Sequence, residues 1–421
     1  MSGGTRSVRT AVLLVSALGL AACPPAADED AGGPSATGER WSYQDWPTGP
    51  YQVVPDWPKP LPDTRHSHEG WTWGSFGGVY AETPERVWIA MRGELPLQDG
   101  MEPWQAYGAV PGLGNAPATT DGITATCAVT TNLRGYNRRW EHSIFIVDDQ
   151  GYLIDEWPHL DPMFSQQPCG RGPHQIKMSP YDQEKHVWII DDQLHMIYIF
   201  TYDGQLVRSH GELGVRGRSP NTFDRPTDVA WLPDGTYFIT DGYGGTRVAK
   251  YDPQGNFIMD WGQPPVDADN PGPNEWNTVH SIAISNDRKL FVLDRGHARM
   301  QVFDENGTFL DMWPLTSPHW PENQNTLMVN HFLDTDGFIW VGDAPTSRIL
   351  KFDQAGNHLY SWGAPGTQAG RLNCSHGMTT DQDRNLYLAD CFAGRIQKFT
   401  PIPGADPSKI AGQILRQYPM P

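Results

Sequence analysis

Basic residues are in deficit along this chain: 31 Lys and Arg stand against 49 Asp and Glu, a formal net charge of −18. The acids are dispersed and no Lys/Arg block interrupts them, so nothing asks for nucleic acid or an anionic membrane surface as a partner. Cysteine is scarce as well, five in 421 residues, with no CxxC or similar spacing that would point to cysteine-ligated metal. Long apolar runs are missing apart from residues 11–20, too short to span a bilayer as a mature helix.

What is present is a repeat. Thr278-Val279-His280-Ser281-Ile282-Ala283-Ile284, Leu290-Phe291-Val292-Leu293-Asp294 and Met300-Gln301-Val302-Phe303 read as three strands, β-branched and aromatic, separated by Asn286-Asp287 and Gly296. Aligning similar units on the Asp that closes the second strand puts Asp191, Asp241, Asp294, Asp343 and Asp390 in register, 50, 53, 49 and 47 residues apart. Four-stranded units of this period stack radially, which predicts an all-β, six-bladed β-propeller. Five successive copies give the Asp a structural task, capping the turn after strand two. Asp203-Gly204, Asp234-Gly235, Asn306-Gly307 and Asp336-Gly337 supply hairpin turns. Trp157, Trp261, Trp313 and Trp362 end fourth strands and are expected to pack between blades. Blade six is expected to take its fourth strand from Gln413-Ile414-Leu415-Arg416.

Fourteen residues before the repeat Asp stand Thr227, His280, Val329 and His376, and a short insertion at Pro180-Tyr181-Asp182-Gln183 brings His174 to the same place. Alternate blades therefore carry His at the channel-lining start of strand one. His is only 14 of 421 residues, so three at one register position point to a shared task. Three imidazoles converging from alternate blades, with a fourth position open, make a catalytic zinc site of His174, His280 and His376. Because strands one and two are antiparallel, residues just after the repeat Asp share a rim with these histidines, among them Arg92, Tyr243, Arg295 and Cys391.

The N-terminus reads as an address. Arg6 and Arg9 precede the apolar run and Leu20-Ala21-Ala22-Cys23 follows it. This resembles the lipobox of bacterial lipoproteins, which implies a signal peptide at 1–22 and a lipidated Cys23. Residues 23–70, rich in Pro, Ala and Gly, are expected to form a disordered tether to a propeller at 71–421 with an insertion at 93–140. The expected location is the bacterial cell envelope, periplasmic or on the outer-membrane side, with the lipid anchor as the sole membrane contact and a monomer on it. The four other cysteines suggest two disulfides in an exported protein. Cys374 precedes the first strand of blade six and Cys391 follows its second, which brings them to one rim; Cys127 and Cys169 then pair by elimination.

The propeller resembles the peptidyl-α-hydroxyglycine α-amidating lyases over about residues 75 to 400. The motifs that carry the resemblance are Gly172-Pro173-His174, Arg225-Pro226-Thr227-Asp228-Val229-Ala230, Thr240-Asp241-Gly242-Tyr243, Val279-His280-Ser281, Asp294-Arg295 and Ser375-His376. The resemblance implies zinc on the three histidines, a catalytic Tyr243, and active-site roles for Arg92 and Arg295. It implies cleavage of a peptidyl-α-hydroxyglycine or related α-hydroxy amide to an amide and glyoxylate. Tyr243 is expected to act as base with Arg92 as its charge partner and Arg295 holding the substrate carboxylate, or with the two arginine roles exchanged. The chain departs from the family at Cys374, where a Met is implied, at Gly244, where a Cys is implied, and in the insertion. Gly377 also stands where the family has an Asp that helps bind a structural calcium, Ca2+ thus losing a ligand. The alternative reading is a non-catalytic NHL-repeat propeller that binds a protein or cell-envelope partner. Arg92, Tyr243 and Arg295 speak against it, since a binding scaffold has no need of them beside a metal.

Overall fold

The computed structural model describes residues 48–73, 76–96, 124–125, 138–165, 172–316, 328–344, 346–366, 368–390 and 394–414. Six four-stranded antiparallel sheets form the blades of a β-propeller. Blade one comprises Phe76–Thr83, Arg86–Met91, Ile144–Val147 and Leu153–Glu156. Blade two comprises Gln175–Met178, Val187–Asp191, Met196–Phe200 and Leu206–His210, and blade three Pro226–Trp231, Tyr237–Asp241, Arg247–Tyr251 and Phe257–Trp261. Blade four has Val279–Ile284, Leu290–Asp294, Arg299–Phe303 and Phe309–Pro314; blade five has Met328–Leu333, Ile339–Asp343, Arg348–Phe352 and His358–Trp362.

Blade six closes the ring differently from expectation. Ser375–Thr380, Leu386–Asp390 and Arg395–Pro401 are joined by Tyr51–Val53 as the fourth strand, in the register Tyr51↔Pro401, Gln52↔Thr400 and Val53↔Phe399. Ile414 instead bridges Asp334 of blade five. The reason lies in burial. Tyr51 is fully buried against Trp362, 5.6 Å between ring centroids, and its hydroxyl accepts the Ala411 amide. A strand from before blade one and the last strands of the propeller are thus hydrogen-bonded into one sheet, which closes the ring. The folded part of the chain therefore begins well before residue 71: Trp57 and Leu61, expected in the tether, lie in the core with Val79 and Tyr387.

Burial falls from the axis outward. In blade two the second and third strands are buried at every position, while the outer strand is mostly exposed. Apolar side chains on both faces of the inner strands make the core, which lies between blades. Trp157 packs on Phe200, Trp261 between Phe238 and Phe303, Trp313 on Phe291 and Trp362 on Phe399.

The repeat Asp has more to do than cap a turn. Asp241, Asp294 and Asp390 accept amides from the segment before the blade's own first strand, at Asp224, Asn277 and Cys374. Each also pairs with an arginine that opens the third strand: Arg247, Arg299 or Arg395. These bonds fix the entry to strand one, and so the height at which its first side chains meet the channel.

Candidate metal centre

A bulge aims the site. In blades one, three, four, five and six the pairing of strands one and two slips by one residue, at Gly77, Thr227, His280, Val329 and His376. A bulged residue is left out of the ladder and its side chain is re-aimed. His174 of blade two stands just ahead of its strand, its amide bonded to the Ile190 carbonyl. The three imidazoles meet on the axis with ring centroids 4.7, 5.1 and 5.1 Å apart. One ring nitrogen of each lies within 4.8 Å of those of the other two.

Two of the rings are held by neighbouring blades. His174 Nδ1 donates to the Thr227 carbonyl and His376 Nδ1 to the Gly77 carbonyl, both at 2.9 Å. Each acceptor belongs to the bulge of the next blade. A proton fixed on Nδ1 leaves the Nε2 lone pair free for a ligand role. His280 Nδ1 is buried without a partner. Burial, reinforced by Arg92 or Arg295 and, for His174 and His280, by neighbouring imidazoles, holds all three histidines well below the usual imidazole range, His376 at about 3. Neutral, convergent and buried, the set fits a divalent transition metal, and three protein ligands leave a position open.

Tyr243 stands at the mouth of this site. Its hydroxyl is 3.2 Å from His174 Nε2 and 2.9 Å from His280 Nε2, and it accepts a bond from Arg295 Nη1 at 3.1 Å. The turn that presents it needs glycine: a Cβ on Gly242 would lie 1.5 Å from the Val279 carbonyl oxygen. Arg295 is on the Tyr243 hydroxyl, as in the exchanged form of the roles expected for the pair. Arg92 is buried, donating from Nε to the Pro173 carbonyl at 3.0 Å and from Nη2 to Asp192 at 3.3 Å.

Two residues of this network were missed in the sequence. Asp192, fully buried, also binds Arg225 at 2.5 Å, and the Arg225 guanidinium lies 4.2 Å over the Tyr243 ring. Asp192 directly follows the repeat Asp191, the offset at which Arg295 follows Asp294, so the same register argument would have placed it on the rim.

Next to the triad stand Gln175, Asp228, Ser281 and Asn330, all buried. The carboxylate of Asp228 is already paired with Lys177 at 2.6 Å. Gly377 packs closely on blade one, where a Cβ would come within 3.2 Å of the Gly77 oxygen. Calcium seeks several oxygen ligands, carboxylates foremost, and the Asp228 carboxylate of this layer is neutralised by Lys177. Cys374 is buried beside Val329 and Ala344, whereas Cys23, Cys127, Cys169 and Cys391 lie outside the described residues.

Comparison with known proteins agrees with the family resemblance. The chain is 32% identical over 145 residues to peptidyl-alpha-hydroxyglycine alpha-amidating lyase 1 of Drosophila melanogaster, covering 32% of this chain and 26% of that one. It is 24% identical over 229 residues to peptidyl-glycine alpha-amidating monooxygenase B of Xenopus laevis, covering 52% and 25%. It is 27% identical over 203 residues to human NHL repeat-containing protein 3, covering 45% and 55%. The chain thus spans about a quarter of the length of the amidating relatives and about half of the NHL relative. No family model matches.

Proposed function

We propose that this protein is a zinc-dependent carbon–nitrogen lyase that cleaves a peptidyl-α-hydroxyglycine, or a smaller α-hydroxy amide of the same kind, to an amide and glyoxylate. The observation that carries this reading is the Tyr243 hydroxyl lying between two imidazole Nε2 atoms and an arginine. His174, His280 and His376 would hold the zinc, which supplies Lewis acidity toward the substrate hydroxyl. Tyr243 then takes the proton from that hydroxyl as the C–N bond breaks, and the departing amide nitrogen regains one, so the products are neutral amide and the aldehyde of glyoxylate. Arg295 steadies the Tyr243 oxygen. Arg92 is left to meet the substrate carboxylate, with Asp192 fixing its position and that of Arg225.

The names of the amidating relatives support this reading. The test is glyoxylate release from α-hydroxyhippurate. Tyr243→Phe keeps the ring and loses the proton transfer, so it should hold its metal and lose on the order of a hundredfold or more in kcat. Parental turnover by this variant would remove Tyr243 from the chemistry. The NHL relative favours a second reading, a propeller that binds a protein or envelope partner; a metal-loaded protein that releases no glyoxylate would leave that reading in place.

An exported, lipid-anchored monomer remains part of the proposal, resting on Cys23 and the preceding apolar run. Cys23→Ser should move the protein from membrane to soluble fractions. A bridge between Cys374 and Cys391 is supported by Cys374 being disulfide-bonded. Non-reducing peptide mapping should recover that pair, and recovery of Cys374 with any other cysteine would replace it.

A further inference from the structure

A second pair of histidines sits at the root of the blade-one insertion. His68 comes from the segment that precedes blade one and His142 from the stretch that returns to it. Their ring centroids are 5.2 Å apart at an interplanar angle of 46°. That spacing matches the 4.7 to 5.1 Å within the central triad. Each Nδ1 is engaged by a carboxylate: His68 by Glu94 at 2.6 Å and His142 by Glu156. Each Nε2 is buried with no hydrogen-bond partner. A carboxylate on Nδ1 fixes the tautomer that leaves Nε2 as a lone-pair donor, and it raises the basicity of that nitrogen. Two such buried nitrogens on neighbouring rings are costly unless something occupies them.

The surrounding charge favours a cation. Among the described residues Glu94, Glu141, Glu156 and Asp161 stand around the pair, and Arg139 is bound to Glu94. Arg139 Nη2 also lies 3.1 Å from His68 Nδ1. Next to His142, Asp161 accepts the Ser143 amide at 3.0 Å.

We propose that His68 and His142 form a second, weaker site for a divalent transition metal such as zinc, with water completing the coordination. The ion would tie three stretches together: the segment entering blade one through His68, the start of the insertion through Glu94, and its return through His142. Glu94 is two residues from Arg92, so this staple sits beside the rim of the central site. The inference stands apart from the lyase reading, since it concerns other ligands and other segments.

The test is a zinc titration of the full-length apoprotein against a chromophoric chelator. Two equivalents are expected per chain, the second bound at least tenfold more weakly than the first. His142→Gln and His68→Gln should each remove the second equivalent and leave the first. A variant lacking all three central imidazoles, His174→Ala/His280→Ala/His376→Ala, should do the reverse, and Cu2+ bound to it should give an electron paramagnetic resonance spectrum with nitrogen couplings from two imidazoles. A single equivalent in the parental protein would overturn the proposal, as would a second one that survives His142→Gln or copper without nitrogen couplings in the triple variant. The parental titration and the copper spectrum decide the matter even if a His68 or His142 variant does not fold.

Discussion

Blades two, four and six and the blades between them share one fold, and in all but blade two one bulge, yet they contribute different things to the axis. The even blades send in imidazoles. The odd blades send in backbone: the carbonyls of Gly77 and Thr227 accept the Nδ1 protons of His376 and His174. Thr227 turns its own hydroxyl to the Val279 carbonyl at 2.8 Å, and Val329 packs with Ala344 and Cys374. The bulge is thus part of the scaffold, and the side chain placed on it decides whether a blade ligates or supports. Alternation also sets geometry, because three ligands spaced two blades apart approach one point evenly.

Removing an even-blade ligand should have the largest effect. His280→Ala should lose tightly bound central metal and glyoxylate release while keeping its β-sheet circular dichroism, because stability is spread over the blade interfaces. Full central occupancy with the parental rate would break the contrast between blades. A change in an odd blade should act at one remove. A Cβ on Gly77 would lie 2.3 Å from the Pro173 oxygen and 2.6 Å from the His174 oxygen. Gly77→Ala must therefore shift the strand carrying His174 and disturb the carbonyl that holds His376. Support of this kind is typically worth 10- to 100-fold in metal affinity, read from the same chelator competition. Unchanged affinity would mean that odd blades do not orient the ligands.

Imidazoles away from the axis sharpen the contrast further, with the smallest effect. His210, on the outer strand of blade two, packs on Tyr237 and Tyr251 of blade three and meets the Tyr237 hydroxyl at 2.6 Å. Burial lowers it to about 4. The unfolded chain takes up this proton first as pH falls, so the stability linked to His210 is intact above about 6.5 and is lost as pH drops toward 4. Because the side chain is partly open to solvent, the loss should be on the order of 1–2 kcal/mol. His210→Gln should flatten that part of the urea-unfolding profile against pH and leave metal content alone.

How far the sequence could be read follows from the same repeat. A fixed period turns position in sequence into position around an axis, which is why His174, His280 and His376 could be grouped before any coordinates. The period does not say at what angle neighbouring rim side chains reach inward. The Arg92 and Arg295 roles were therefore left interchangeable, and Asp192 with Arg225, a link between blades two and three, went unseen. Tyr51–Val53 escaped for a different reason. A three-residue strand in Pro-rich sequence has too few positions to display an alternation, and its partner lies some 350 residues away at the other end of the chain.

The central claim is that alternate blades build one catalytic metal centre, and metal-dependent turnover tests it most directly. Apoprotein prepared with a chelator should not act on α-hydroxyhippurate. Zinc added back should restore glyoxylate and benzamide in equal amounts, with activity rising until the tighter site holds one equivalent. Glyoxylate release by the metal-free protein, or its absence when His174, His280 and His376 are fully loaded, would contradict the account.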